Sequence, residues 1–210
     1  SLEGLGAGFS LAAHDLDIRG AGNLLGDEQS GQIKEVGINL YQQLLNEAVS
    51  DIKGETYIAN EFVPQINLQA PALIPEDYIL DLSLRLQLYR RLGNINDDNE
   101  FESFTIELID RFGLIPKELN YLIRVMKIKR NCIKTGIQRI DSGINGATLE
   151  FMNDGHINPE KFITWIHNNK KDIKVRSDKK VGLLYKWSSI DERLDIIEGL
   201  TSEIVMLVSN

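Results

Sequence analysis

The run Ile137-Gln-Arg-Ile-Asp-Ser-Gly-Ile-Asn-Gly-Ala-Thr-Leu-Glu-Phe151 decides the fold class. Its two ends, Ile137 to Asp141 and Ala147 to Phe151, read as short strands. Between them Ser142-Gly143-Ile-Asn145-Gly146 holds turn residues, so the whole run reads as a β-hairpin. Just before it, three segments between Pro75 and Gly136 have helical periodicity. After it, Pro159 opens a helix through Ile166, Lys174-Val-Arg-Ser and Val181-Gly-Leu-Leu-Tyr-Lys-Trp187 read as two further strands, and Ile190 to Val208 as a last helix. Helices followed by a hairpin and more short strands imply an α+β fold, with several helices packed on one small, mainly antiparallel sheet.

Upstream, three helices are punctuated clearly. The first is expected to start at Pro75-Glu-Asp, whose acids suit a positive helix end, and to reach Leu92 before Gly93, with Ile79, Leu82, Leu86 and Tyr89 on one stripe. The second begins near Asp97-Asp98-Asn99, buries Phe101, Phe104, Leu108 and Phe112, and stops at Gly113. The third opens with Pro116 at its first turn and ends at Gly136, with Leu119, Leu122, Ile123, Met126 and Ile133 on its stripe. Before them, Phe62-Val-Pro-Gln-Ile-Asn-Leu-Gln-Ala-Pro71 alternates apolar and polar residues, and its prolines confine it to an edge strand or a linker. The expected organisation is residues 1–54, an extended connection over 55–75, and a C-terminal domain over 76–210.

Residues 1–32 are glycine-punctuated by Gly4, Gly6, Gly8, Gly20, Gly22, Gly26 and Gly31. A short helix candidate at Phe9 to Ile18 precedes a loop from Arg19 to Gly31, and Ile38 to Ile52 reads as an amphipathic helix. Such a loop is costly to order, because glycine loses the most backbone freedom. It is either a solvent loop or a backbone that must move or approach something closely.

The chain has 210 residues and a net charge of −8, from 23 bases and 31 acids. Bulk acidity opposes a free-standing nucleic-acid binder, since neutralising phosphates needs Lys and Arg. The charge is uneven: residues 113–140 hold seven bases and one acid, and Arg124, Lys127, Arg130 and Lys134 form a candidate interaction stripe on the third helix. Each of those positions also fits a solvated helix face. Cys132 is the single cysteine, so no internal disulfide forms and a reducing compartment is expected. No apolar run approaches the roughly 18 residues that span a bilayer, and Ser1 to Gly8 has no basic and apolar signal pattern.

Catalytic motifs are missing. No Gly-Lys pair exists, so there is no phosphate-cradling P-loop. Gly20-Ala-Gly22-Asn-Leu-Leu-Gly26 places its third glycine one residue late for a dinucleotide fingerprint, and no strand precedes it. His14, His156 and His167 are scattered, which excludes a clustered metal site. Cys132, mid-helix among apolar residues, reads as an inert buried thiol. Asp191-Glu192 fits a helix start near Ser188-Ser189 better than a fragment of a nucleotide-binding motif. No complete active site is present, and no catalytic residue is expected.

Against this background, Gly8-Phe9, Ala12, Asp15-Leu16 and Arg19-Gly20-x-Gly22-x-Leu24-Leu25-Gly26-x-x-Gln29-Ser30-Gly31 resemble the TRG motif, named for translocation in the RecG branch translocases. Leu73-Ile-Pro-Glu-Asp-Tyr-Ile, Leu84-Arg-Leu-Gln-Leu-Tyr-Arg-Arg-Leu92, Glu107-Leu-Ile-Asp-Arg-Phe-Gly-Leu-Ile-Pro116, Gly136-Ile-Gln-Arg-Ile-Asp141 and Thr148-Leu-Glu-Phe151 resemble the C-terminal domain of the bacterial transcription-repair coupling factors (Mfd). The resemblance covers nearly the whole chain.

That resemblance implies a C-terminal fragment of a bacterial, cytoplasmic, ATP-dependent duplex-DNA translocase that displaces stalled RNA polymerase and recruits UvrA. ATP and magnesium would belong to the parent protein, and no cofactor to this fragment. Arg19, Gly20, Gly22, Gln29 and Gly31 are carried over as the coupling motif: Arg19 would hold the hairpin to the helicase lobe, and Gln29 would pass motion to a DNA-facing loop. The C-terminal domain would dock on a UvrB-like N-terminal module of the same protein and mask its UvrA-binding surface. No membrane is implied. The alternatives are a stand-alone protein-interaction module, and a DNA-binding domain that uses the basic helix 117–136.

Overall fold

The computed structural model describes residues 62–153, 156–169, 171–176 and 180–208. In chain order these form β1 (Gln65–Asn67), α1 (Leu82–Gly93), α2 (Asp98–Phe112), α3 (Lys117–Thr135), β2 (Ile137–Gly143), β3 (Gly146–Phe151), α4 (Pro159–Asn168), β4 (Ile173–Val175), β5 (Lys180–Leu184) and α5 (Ile190–Val205). The strands make one sheet in the order β1-β2-β3-β5-β4. Only the β1–β2 pairing is parallel; β2–β3, β3–β5 and β5–β4 are antiparallel. The architecture is α+β, as the hairpin implied.

Most helix ends lie where the sequence punctuates. Asp97 caps α2 by accepting from the Glu100 N–H at 2.9 Å, and Glu100 reaches back to the Asn96 N–H at 3.1 Å. Gly136 ends α3 in the left-handed region, at φ 74°, where a Cβ would be strained. Asn158 caps α4 just before Pro159, and Ser189 caps α5 by accepting from the Glu192 N–H. Glu192 in turn accepts from Ser188, so Asp191-Glu192 is indeed a helix start.

The first helix departs from expectation. It begins at Leu82, capped by Asp81, and not at Pro75. Residues 76–80 instead form a separate turn, because the nearly buried Arg85 donates Nη1 to the carbonyls of Ile79 at 2.7 Å and Leu80 at 3.2 Å. Those carbonyls are thereby withdrawn from a helical ladder. Of the expected 55–75 connection, residues 65–67 are the edge strand. Beyond them Leu68, Ala70, Ala72 and Ile74 are all buried in the core. Three long-range bonds fasten this strap: Arg193 Nη1 to the Leu68 carbonyl, the Leu73 N–H to the Glu118 carbonyl, and the Ile74 N–H to the Tyr89 hydroxyl.

One sheet face carries Ile137, Ile140, Ala147, Leu149, Ile173, Val181 and Leu183, all buried against the helices. Against it, α3 and α5 lie side by side. Their cross-contacts Tyr121–Asp191, Arg124–Asp195 and Asn131–Thr201 keep a nearly constant separation of 70 or 71 residues, so the two helices run parallel and in register. The opposite sheet face is mostly polar: Arg139, Lys174 and Leu184 are exposed, while Asp141, Thr148, Glu150, Lys180 and Gly182 are half-buried.

Candidate protein-docking face

The coupling-motif residues Arg19, Gly20, Gly22, Gln29 and Gly31 lie outside the described residues. The four stripe residues are all described, but the fold does not leave them as one free cationic surface. Arg124 turns toward α5, where it donates Nη2 to Asp195 at 2.5 Å and Nε to Glu198 at 2.9 Å. Burial works against its charge, but the hydrogen bonds it donates to Glu198 and Asp195 outweigh that and hold the guanidinium above its ordinary pKa. Arg130 faces the other way, toward α2, and pairs with Asp98 at 2.8 Å. It stacks over the Phe101 ring at 5.4 Å, and Lys127 lies over the same ring at 5.7 Å. Lys134 is exposed one turn further on. Acids distant in sequence therefore neutralise much of the positive block. Cys132 is fully buried, and burial pushes its thiol pKa up, which suits an inert packing residue.

A different surface stands out. Leu80 is 85% exposed, Leu114 88%, Ile106 57% and Ile109 41%. Ile106 and Ile109 lie three residues apart on the outer side of α2, and Leu114 follows its C-terminal glycine. The Tyr78 hydroxyl sits against the carbonyls of Leu108 (3.2 Å) and Gly113 (3.0 Å), and its ring meets Phe112 edge-on with centroids 5.9 Å apart. Those contacts bring the turn bearing Leu80 beside the end of α2 bearing Ile109 and Leu114. Glu76, Asp77, Asp81, Glu102 and Asp110, all exposed, border these side chains. The underlying frame is stiff. Glu107 bridges Arg91 of α1 at 2.5 Å and Arg111 at 2.8 Å, while Arg91 also covers the Phe104 ring at 5.3 Å. Hydrogen bonds from Arg91 and Arg111 hold the Glu107 carboxyl below its ordinary pKa. These exposed apolar side chains and the neighbouring acids thus sit on a frame tied together by the Glu107 bridge. In sequence, Ile106 falls off the buried stripe of Phe101, Phe104, Leu108 and Phe112, but Leu114 carries no mark of exposure; the fold shows both to be exposed.

Among the described residues no cluster of His, Cys, Asp and Glu could hold a metal, and no helix is long and apolar enough to cross a membrane.

Comparison with known proteins names the family. Residues 68–162 match the family model described as the TRCF domain. The chain is 42% identical over 196 residues, 93% of its length, to the transcription-repair-coupling factor of Rickettsia conorii. It belongs to the transcription-repair-coupling factor family. The corresponding factor of Escherichia coli is 35% identical over 208 residues. The chain spans 17% and 18% of these two relatives, so it corresponds to one part of a much longer protein. A crystal structure of the C-terminal domain of a transcription-repair coupling factor has a TM-score of 0.53 and 22% identity, covering 69% of this chain and 94% of that one, and it shares the fold. The α+β domain described above thus has the fold of that C-terminal domain and carries the match to the TRCF model.

Proposed function

We propose that this chain is the coupling and autoregulatory end of an ATP-dependent duplex-DNA translocase that displaces stalled RNA polymerase at lesions and recruits excision repair. ATP and magnesium act in the parent protein, outside this chain. The segment with Arg19, Gly20, Gly22, Gln29 and Gly31 links nucleotide hydrolysis to movement. The C-terminal domain docks on a UvrB-like N-terminal module of the same protein and so masks the surface that recruits UvrA.

The observation that carries the docking role is the exposed cluster of Leu80, Ile106, Ile109 and Leu114 inside its acidic rim. Exposed apolar groups at this density favour a partner surface, and the acids select one whose border is basic. The internal pairing of Arg124 and Arg130 moves the docking role away from the α3 stripe and onto α2.

The test uses the full-length protein. Ile106→Asp with Leu114→Asp should expose the N-terminal module, raising UvrA capture and basal ATPase activity together. Unchanged UvrA capture in a folded double variant would refute the docking role. Arg19→Ala should abolish polymerase displacement while largely sparing ATP hydrolysis, and normal displacement by that variant would refute the coupling role separately.

A further inference from the structure

The open sheet face has an electrostatic character that the whole-chain charge conceals. Lys171, Lys174, Arg176 and Lys186 are exposed around β4 and β5, and none forms an ion pair among the described residues. Strand alternation puts Lys174 and Arg176 on one side of β4, two residues and about 6.8 Å apart. That is the open side, since the buried Ile173 lies on the other side of the strand. Across the strand pair, the Arg176 N–H donates to the Lys180 carbonyl at 2.8 Å, so these two cations stand opposite each other. Like charges directly across a ladder destabilise it. Lys180 is offset by Glu150 at 3.8 Å on its far side. Asp172 and Asp178 are the acids of this stretch in the sequence.

Opposite Lys174 the next strand has no side chain: the register pairs it with Gly182, which in turn pairs with Thr148. Gly182 does not have the positive φ that would require glycine. A Cβ built there would meet only the Lys174 carbonyl oxygen, at an ordinary 3.7 Å. Neither backbone geometry nor packing within the domain therefore demands glycine inside this strand, where it weakens the ladder. A strand glycine with free space over it marks a place where something outside approaches closely.

We propose that this face, centred on Gly182 and flanked by Lys174, Arg176 and Lys180, contacts the sugar–phosphate backbone of duplex DNA. Phosphate contacts need cations that can approach closely, and a floor without side chains allows that. A protein partner would need an apolar or aromatic anchor at the centre of the contact; the centre here is Gly182 and Thr148, and the outward apolar side chain of β5, the exposed Leu184, stands at the strand end opposite Gly146. A single strand would need aromatic rings for its bases to stack on, and the outward positions of β3, β4 and β5 hold none. The contact positions the domain along DNA without reading sequence. The bulk charge of −8 keeps it weak, so it acts beside the stronger grip of the motor. The choice of DNA over RNA rests on the translocase reading above; the charge geometry does not.

The experiment measures binding of the 210-residue chain to a fluorescent DNA duplex across a salt series, with an RNA duplex and a polyglutamate peptide as parallel probes. Neither UvrA capture nor ATPase activity is read, so a failure here leaves the docking role standing. The wild-type chain should bind duplex DNA weakly, with an affinity that falls as salt rises. Lys174→Gln with Arg176→Gln should flatten the log–log slope by about 1.8, at roughly 0.9 per lost phosphate contact. Gly182→Val, which places a good strand former in open space, should keep or raise the melting temperature and still weaken binding. Lys134→Gln on α3 should leave the slope unchanged. A double variant with the wild-type slope, a folded Gly182→Val that binds like wild type, a preference for the RNA duplex, or binding to polyglutamate alone would each overturn the proposal.

Discussion

Arg124 of α3 donates Nε to Glu198 of α5 at 2.9 Å, joining two parallel helices across a separation of 74 residues. The bond ties the sequence's positive block to its own domain. Arg124→Met should therefore destabilise the fold by about 1–2 kcal/mol, since the half-buried Glu198 loses a charged donor while the exposed Asp195 rehydrates. Urea denaturation of the chain measures this. No change in the unfolding midpoint would mean that the pair is a solvated contact without consequence.

Gly146 offers the sharpest backbone test. It has φ 140°, and a Cβ there would lie 1.9 Å from the Leu183 carbonyl oxygen of the neighbouring strand. Gly146→Ala should cost about 1–3 kcal/mol from conformation alone, with the clash adding to it. Gly143 lies across the same turn with open space over it. Gly143→Ala should therefore be tolerated, and thermal melts of the two variants should separate clearly.

Acid sensitivity should trace in part to Glu107. Its carboxyl is held below the ordinary range by Arg91 and Arg111, so the bridge contributes stability above the unfolded-state pKa of about 4.3 and loses it as pH falls through the lower folded value. The contribution is small because the pair is partly hydrated. Glu107→Gln should flatten the fall in melting temperature between about pH 5 and 3 while changing little at pH 7. An unchanged acid limb would show that the bridge does not persist in solution.

Leu80 and Leu114 are too exposed to hold the core together. Leu80→Ser and Leu114→Ser should each shift stability by no more than about 0.5 kcal/mol. Phe104→Ala, which empties a fully buried site beneath Arg91, should cost about 3–5 kcal/mol. If the exposed pair proved as costly as Phe104, they would be packing residues and not a docking surface.

Local chemistry made much of the domain legible. Asp97, Gly113, Pro116 and Gly136 mark the ends of α2 and α3 because caps and breakers act within a few residues. Turn chemistry likewise reveals the 137–151 hairpin. The start of α1 misleads, since Pro75-Glu-Asp imitates a helix start while the deciding bonds come from Arg85, beyond the turn it organises. The α3 stripe misleads for a related reason. Asp98, Asp195 and Glu198 neutralise it from positions 32 to 74 residues away from the bases they meet, the longest being between Arg124 and Glu198. The exposure of Leu80 and Leu114 left no signal in the sequence, because hydrophobicity alone does not tell an interface from a core.

The most direct measurement is calorimetric titration of the isolated UvrB-like N-terminal module into the 210-residue chain, wild type against Ile106→Asp with Leu114→Asp. The docking account predicts one-to-one binding by the wild type and at least a tenfold loss in a double variant that still melts cooperatively. Equal binding by both chains, or loss of binding on neutralising Lys127 and Lys134 in place of the α2 face, would contradict it.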